Sequence, residues 1–140
     1  MILAAYEALV DQVGPCHLVA HSQGAGFAAE IARRRPRLVQ SVVGVEPGGM
    51  PAASPIGPLP RHLHVWGDFI EASGSHWINY RRQADAYLDS IRATTPVSVI
   101  DLPAEGVRGN SHLPMMDRNS DDVFEHVRAW LESSNPRPGA

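Results

Sequence analysis

Residues 16–34 read Cys-His-Leu-Val-Ala-His-Ser-Gln-Gly-Ala-Gly-Phe-Ala-Ala-Glu-Ile-Ala-Arg-Arg, and the architecture hangs on where this stretch changes period. Cys16 to Ala20 is a short apolar run that reads as a buried strand. From Gln23 onward Phe27, Ala28, Ile31 and Ala32 fall on one helical face. Arg33, Arg34 and Arg35 close that helix at the end where its dipole favours cations, and Pro36 ends it. Between the two elements lies Ala20-His21-Ser22-Gln23-Gly24, a small-x-Ser-x-Gly turn from strand to helix. The side chains two before and two after the serine face each other in such a turn, so Ala20 and Gly24 leave Ser22 exposed in a strained pose. The competing role, a helix N-cap, asks only for a serine and does not require the flanking small residues.

Working outward, a similar alternation continues. Upstream, Ile2, Tyr6, Leu9 and Val13 form the apolar face of an amphipathic helix stopped by Gly14-Pro15. Downstream, Leu38 to Val45 is an almost continuous valine-rich run, as a parallel strand buried on both faces requires. A proline- and glycine-rich loop, Pro47 to Pro60, leads to a strand at His62 to Gly67. A helix follows with the stripe Trp77, Tyr80, Ala84, Leu88 and Ile91. Val97 to Leu102 gives a fourth strand. After an irregular segment to Ser120, a last helix carries Val123, Val127, Trp130 and Leu131 on one face. The order predicts a three-layer α/β/α domain with a mainly parallel sheet of about four strands. One domain over 1–134 and a flexible tail over 135–140 account for all 140 residues.

Composition removes several classes of function. Twelve basic residues, all arginine, against 15 acids give a net charge of −3, which offers no basic face to nucleic acid. The single cysteine, Cys16, can form neither an intrachain disulfide nor a thiolate metal cluster, and reads as a small core residue. No apolar run approaches the ~20 residues of a membrane-spanning helix. The N-terminus lacks the basic region and cleavage site of a secretory leader. A cytoplasmic location is the default for the chain as it stands, although a leader could precede it in a longer protein.

A serine in such a turn is inert without a base. His112, in Gly109-Asn110-Ser111-His112-Leu113, lies in a loop after the last strand, from which it can reach across the strand ends. The other histidines read more plainly. His17 and His21 flank the turn, His62 and His64 share a strand face without a third metal ligand nearby, His76 opens a helix and His126 faces outward. Two acids compete to orient the base: Glu46 after the valine-rich strand, and Asp68 in Trp66-Gly67-Asp68 after the next. Both follow a strand and both give the chain order Ser, acid, His, so the pattern leaves the choice open.

Taken together, Ala20-His21-Ser22-Gln23-Gly24, Val45-Glu46-Pro47-Gly48, Trp66-Gly67-Asp68 and Gly109-Asn110-Ser111-His112 resemble the α/β-hydrolase superfamily, and within it a branch of bacterial serine esterases. The resemblance implies a partial α/β-hydrolase fold and a Ser-Glu-His triad of Ser22, Glu46 and His112. Asp68 then occupies the acid position of more typical members, as the alternative acid. It implies hydrolysis of a small carboxylic ester through an acyl-enzyme, with the N–H of Gln23 in the oxyanion hole and with neither cofactor nor metal. Phe69, Ile70, Trp77 and Met115 flank the triad in sequence and are expected at the substrate.

Residues 1–134 correspond to the C-terminal portion of such a domain. Roughly four upstream strands and the second oxyanion donor would lie outside the chain. The first strand would then sit at an open sheet edge, inviting self-association or pairing with a complementing half. The alternative expectation is a non-catalytic half-domain that binds a partner through that edge.

Overall fold

The computed structural model describes residues 1–52 and 57–133, so the tail expected over 135–140 lies outside the described residues. The elements run α1 (Ile2–Val13), β1 (Cys16–His21), α2 (Gln23–Arg34), β2 (Val39–Val45), β3 (Arg61–Trp66), α3 (Ser75–Ile91), β4 (Val97–Asp101), a 3₁₀ turn (Pro114–Met116) and α4 (Ser120–Glu132). The four strands form one parallel sheet in the order β1-β2-β3-β4. This is the three-layer α/β architecture that the alternation predicts.

Strand periodicity sorts the side chains between two cores. On one face, Val43, Val45, Leu63, Val65 and Leu102 pack against Val123 and Val127 of α4. On the other, Val39 and Val42 meet Ala28, Ile31 and Ala32 of α2 and Val10 of α1, while Tyr87, Leu88 and Ile91 of α3 pack with Ala29 and Leu59. One helix thus covers one face and three cover the other. Arg61 fixes α4 from below: its guanidinium lies 3.7 Å from the Trp130 ring centroid and donates to the last-turn carbonyls of Trp130 and Leu131, both at 2.9 Å.

One expectation is corrected at the β1 edge, the burial of its strand. The face Ile2, Tyr6, Leu9, Val13 is largely exposed, from 43% at Tyr6 to 60% at Val13, and only Val10 of α1 is fully buried. Glu7 lies 3.1 Å from Arg35 and 3.5 Å from Arg34 of the α2 end, and Asp11 lies 2.7 Å from Arg35. Likewise β1 is not buried on both faces. Leu18 and Ala20 pack under α2, but Val19 is 57% exposed because α4 lies over the middle of the sheet rather than its edge. Cys16 is half-buried beside that core.

Two histidines lie in the opposite situation, wholly buried on β3 beneath α3. His62 donates from Nδ1 to the Pro60 carbonyl at 2.7 Å and accepts from the Tyr87 hydroxyl at 3.2 Å. Neither ring nitrogen of His64 has a partner among the described residues. Burial holds their pKa values down to about 4 and about 3, and for His64 the nearby His62 and Arg81 add to it. Both are neutral when folded and gain a proton on unfolding below pH 6.5, so the unfolded state binds more protons there and stability falls with acidification. Each contributes a slope of up to about 1.4 kcal/mol per pH unit below pH 6.5, until the pH reaches its folded-state pKa. Urea denaturation of His64→Leu between pH 6.5 and 4 should show the slope reduced by about that amount for one group.

Candidate active site

Parallel pairing puts the C-terminal ends of the strands at one level. His21 pairs with Val45 and Val45 with Val65, and the ladder continues one step further through Ser22 N–H to Val45 O (3.0 Å) and Glu46 N–H to Val65 O (2.8 Å). Ser22 and Glu46 are therefore the first residues beyond two adjacent strands. Each has a left-handed backbone, φ 53° and 48°, in a conformation that only glycine adopts without strain.

Ser22 occupies the N-cap position of α2 but makes no side-chain cap bond, so the capping role is not what this serine performs. Its hydroxyl instead lies 3.0 Å from Nε2 of His112, and Nδ1 of His112 lies 3.3 Å from Oε2 of Glu46. A carboxylate only accepts, so Nδ1 carries the proton and Nε2 is free to accept from the Ser22 hydroxyl. Glu46 is 4% exposed, and its other oxygen accepts the Gly67 N–H. Burial pushes the Glu46 carboxyl above its ordinary range, opposed by the bonds from Gly67 and His112 and by the charge of Arg81.

Asp68 does different work. It accepts the Gly109 N–H at 2.6 Å, lies 3.5 Å from the Arg108 guanidinium, and donates its own N–H to the Asn110 carbonyl. It grips the backbone of the histidine loop rather than the imidazole. That loop is held from its other side as well. Asp117 accepts from the Ser111 N–H and hydroxyl (2.7 and 2.9 Å), and buried Asn110 exchanges amide bonds with Asn119 (2.8 and 3.1 Å).

Two cavities meet at His112. One of about 360 Å³ is lined by Ser22, Gln23, Gly48, Trp77 and Tyr80 among others, and one of about 180 Å³ by Phe69, Ile70, Ser73 and Trp77. Trp77 borders both, with its ring centroid 4.3 Å from that of His112. Met115 lies half exposed on the 3₁₀ turn and lines neither cavity, because the turn carries it away from the strand ends. Gln23 is the first helical residue of α2, so its N–H has no intrahelical acceptor. The sequence reading passed over His76 and Tyr80, which line the larger cavity four residues apart on α3, and over His21, whose Nε2 lies 2.6 Å from the His112 carbonyl. The spacing of His76 and Tyr80 around Trp77 was the available signal for the first pair.

No protein-family model matches the chain. In sequence it is 23% identical, over 180 aligned positions, to a probable secreted lipase phiG from Fungal sp. (strain ATCC 74256), covering 91% of this chain and 49% of that one. In structure it matches a bacterial esterase with a TM-score of 0.84 at 30% identity, over 94% of this chain and 42% of the other. The relationship is to hydrolases. The chain spans about half the length of the lipase and somewhat less of the esterase.

The glycines of the turn separate two constraints. A Cβ built on Gly24 meets only the Cβ of Ala20, at an ordinary 3.8 Å, so the two small residues do face each other and space for a methyl remains. On Gly26 a Cβ would stand 2.1 Å from the Gly49 carbonyl oxygen, because the chain after Glu46 lies directly on α2 there. Gly26→Ala should therefore cost roughly 1–3 kcal/mol in urea denaturation. Gly24→Ala should be neutral or stabilising by up to about 1 kcal/mol.

Proposed function

We propose that the chain carries the catalytic centre of a serine hydrolase acting on small carboxylic esters, with Ser22 as nucleophile, His112 as general base and then general acid, and Glu46 orienting the imidazole. The observation that carries this reading is the continuous hydrogen-bonded path from the Ser22 hydroxyl through both ring nitrogens of His112 to buried Glu46. Three segments remote in sequence supply the path. The relationship to a lipase and an esterase supports the same chemistry.

In the first half-reaction the Ser22 oxygen forms a bond to the ester carbonyl carbon as Nε2 of His112 takes its proton. The tetrahedral intermediate collapses with cleavage of the C–O bond, and the imidazolium returns the proton to the departing alcohol. Water then repeats the sequence on the acyl-enzyme, releasing the acid and restoring the Ser22 hydroxyl. Glu46 stabilises the imidazolium in both halves. The Gln23 N–H, at the positive end of α2, serves as one oxyanion donor, a contribution worth about 10²–10³ in turnover in serine proteases. The acyl group occupies the larger cavity beside Ser22, against Trp77 and Tyr80. Asp68 acts through the loop backbone and takes no part in proton transfer.

The test is labelling with a fluorophosphonate, read by intact mass, alongside hydrolysis of a short-chain p-nitrophenyl ester. Ser22→Ala should abolish labelling, His112→Ala should nearly do so, and Glu46→Gln should slow it by up to about 10⁴-fold by favouring the wrong tautomer. Asp68→Asn should retain far more activity than Glu46→Gln, and the opposite ranking would move the acid role to Asp68.

A further inference from the structure

We infer that His21 is a positioning residue that bolts the base to the nucleophile turn, an inference resting on the reading that Ser22 and His112 act together. Nε2 of His21 lies 2.6 Å from the carbonyl oxygen of His112, and the two rings pack with centroids 4.7 Å apart. A carbonyl only accepts, so His21 holds the Nε2–H tautomer and donates. The bond joins residue 21 to the backbone of residue 112, while the adjacent residue 22 meets the side chain of the same histidine. Backbone and ring of His112 are thereby referenced to one dipeptide.

The rest of the structure explains why such a bolt matters. The histidine loop is tied to the end of β3 by Asp68, to the residues before α4 by Asp117 and Asn119, and to the end of β2 through Glu46. None of these ties reaches β1. Among the described residues that strand pairs with β2 alone and has one face largely uncovered, which makes it the least constrained of the described strands bordering the site. Among the described residues, His21 supplies the side-chain tether between the serine turn and the loop apart from the Ser22–His112 bond itself. With His21, the distance between Oγ and Nε2 is set across the gap directly as well as through Glu46 and the end of β2.

The decisive comparison is His21→Phe with His21→Gln. Phenylalanine keeps a ring against His112 but has no donor, whereas the glutamine amide places an N–H close to where Nε2–H stood. Ser22 labelling by the fluorophosphonate should slow by about 10- to 100-fold in His21→Phe, the scale expected of a misplaced base. His21→Gln should stay close to wild type. On the p-nitrophenyl ester the loss should fall on kcat with KM little changed, and both variants should melt with the wild type. Long-range ¹H–¹⁵N spectra of the His112 ring should show a single Nδ1–H tautomer in the wild type and in His21→Gln, with the second tautomer gaining population in His21→Phe.

Equal loss in both variants, or wild-type labelling and an unchanged His112 spectrum in His21→Phe, would overturn the inference. If the wild type does not label but the His112 tautomer still shifts in His21→Phe and not in His21→Gln, the positioning role stands and the hydrolase reading falls.

Discussion

Register is the constraint on which the site depends. In a parallel sheet, a residue's height is fixed by its pairing, and the series His21, Val45, Val65 places Ser22 and Glu46 side by side just past their strands, level with Trp66, the last residue of β3. A slip of one residue in β2 would turn its valines away from α4 and carry Glu46 away from both His112 and the Gly67 N–H. The apolar pattern of Val39–Val45 therefore does two jobs. It fills both cores, and by filling them it sets the position of a carboxylate.

How much of this was legible in the sequence differs from residue to residue. The strand-to-helix switch at Ser22 is written in local periodicity, and so are the four strands and the faces of α2 and α4. The choice between Glu46 and Asp68 is not, because both follow strands and no local pattern says which side chain turns toward the loop. The left-handed backbone at Glu46 decides the direction, in a residue type that carries no preference for it. The shared face of Ile2, Tyr6, Leu9 and Val13 is legible in their spacing, whereas its exposure is not, because spacing says which residues lie together and not what covers them. Met115 was placed by its nearness in sequence to His112, and a single turn of 3₁₀ helix is enough to separate them.

Strain concentrates where chemistry is proposed. The three non-glycine residues with positive φ among those described are Ser22, Glu46 and Phe69, all lining the two cavities at His112. Each such conformation costs of order 1–3 kcal/mol and persists only where its surroundings fix it. Here the fixing contacts are the extended ladder under Ser22 and Glu46 and the dense bonding of the histidine loop. The nitrogens of His64, without a partner among the described residues, add a further cost deep in the sheet.

The unequal covering of the sheet, three helices on one face and one on the other, also grades its resistance to local opening. β3 is buried from His62 to Trp66 between two strands, whereas among the described residues β1 has a single neighbour and a half-bare face. Amide hydrogen exchange would rank them accordingly, with β1 opening at a smaller free energy than the whole domain and β3 only with it. In the chain as described, excursions of β1 alone would separate Ser22 from His112 while leaving the His112–Glu46 pair in contact.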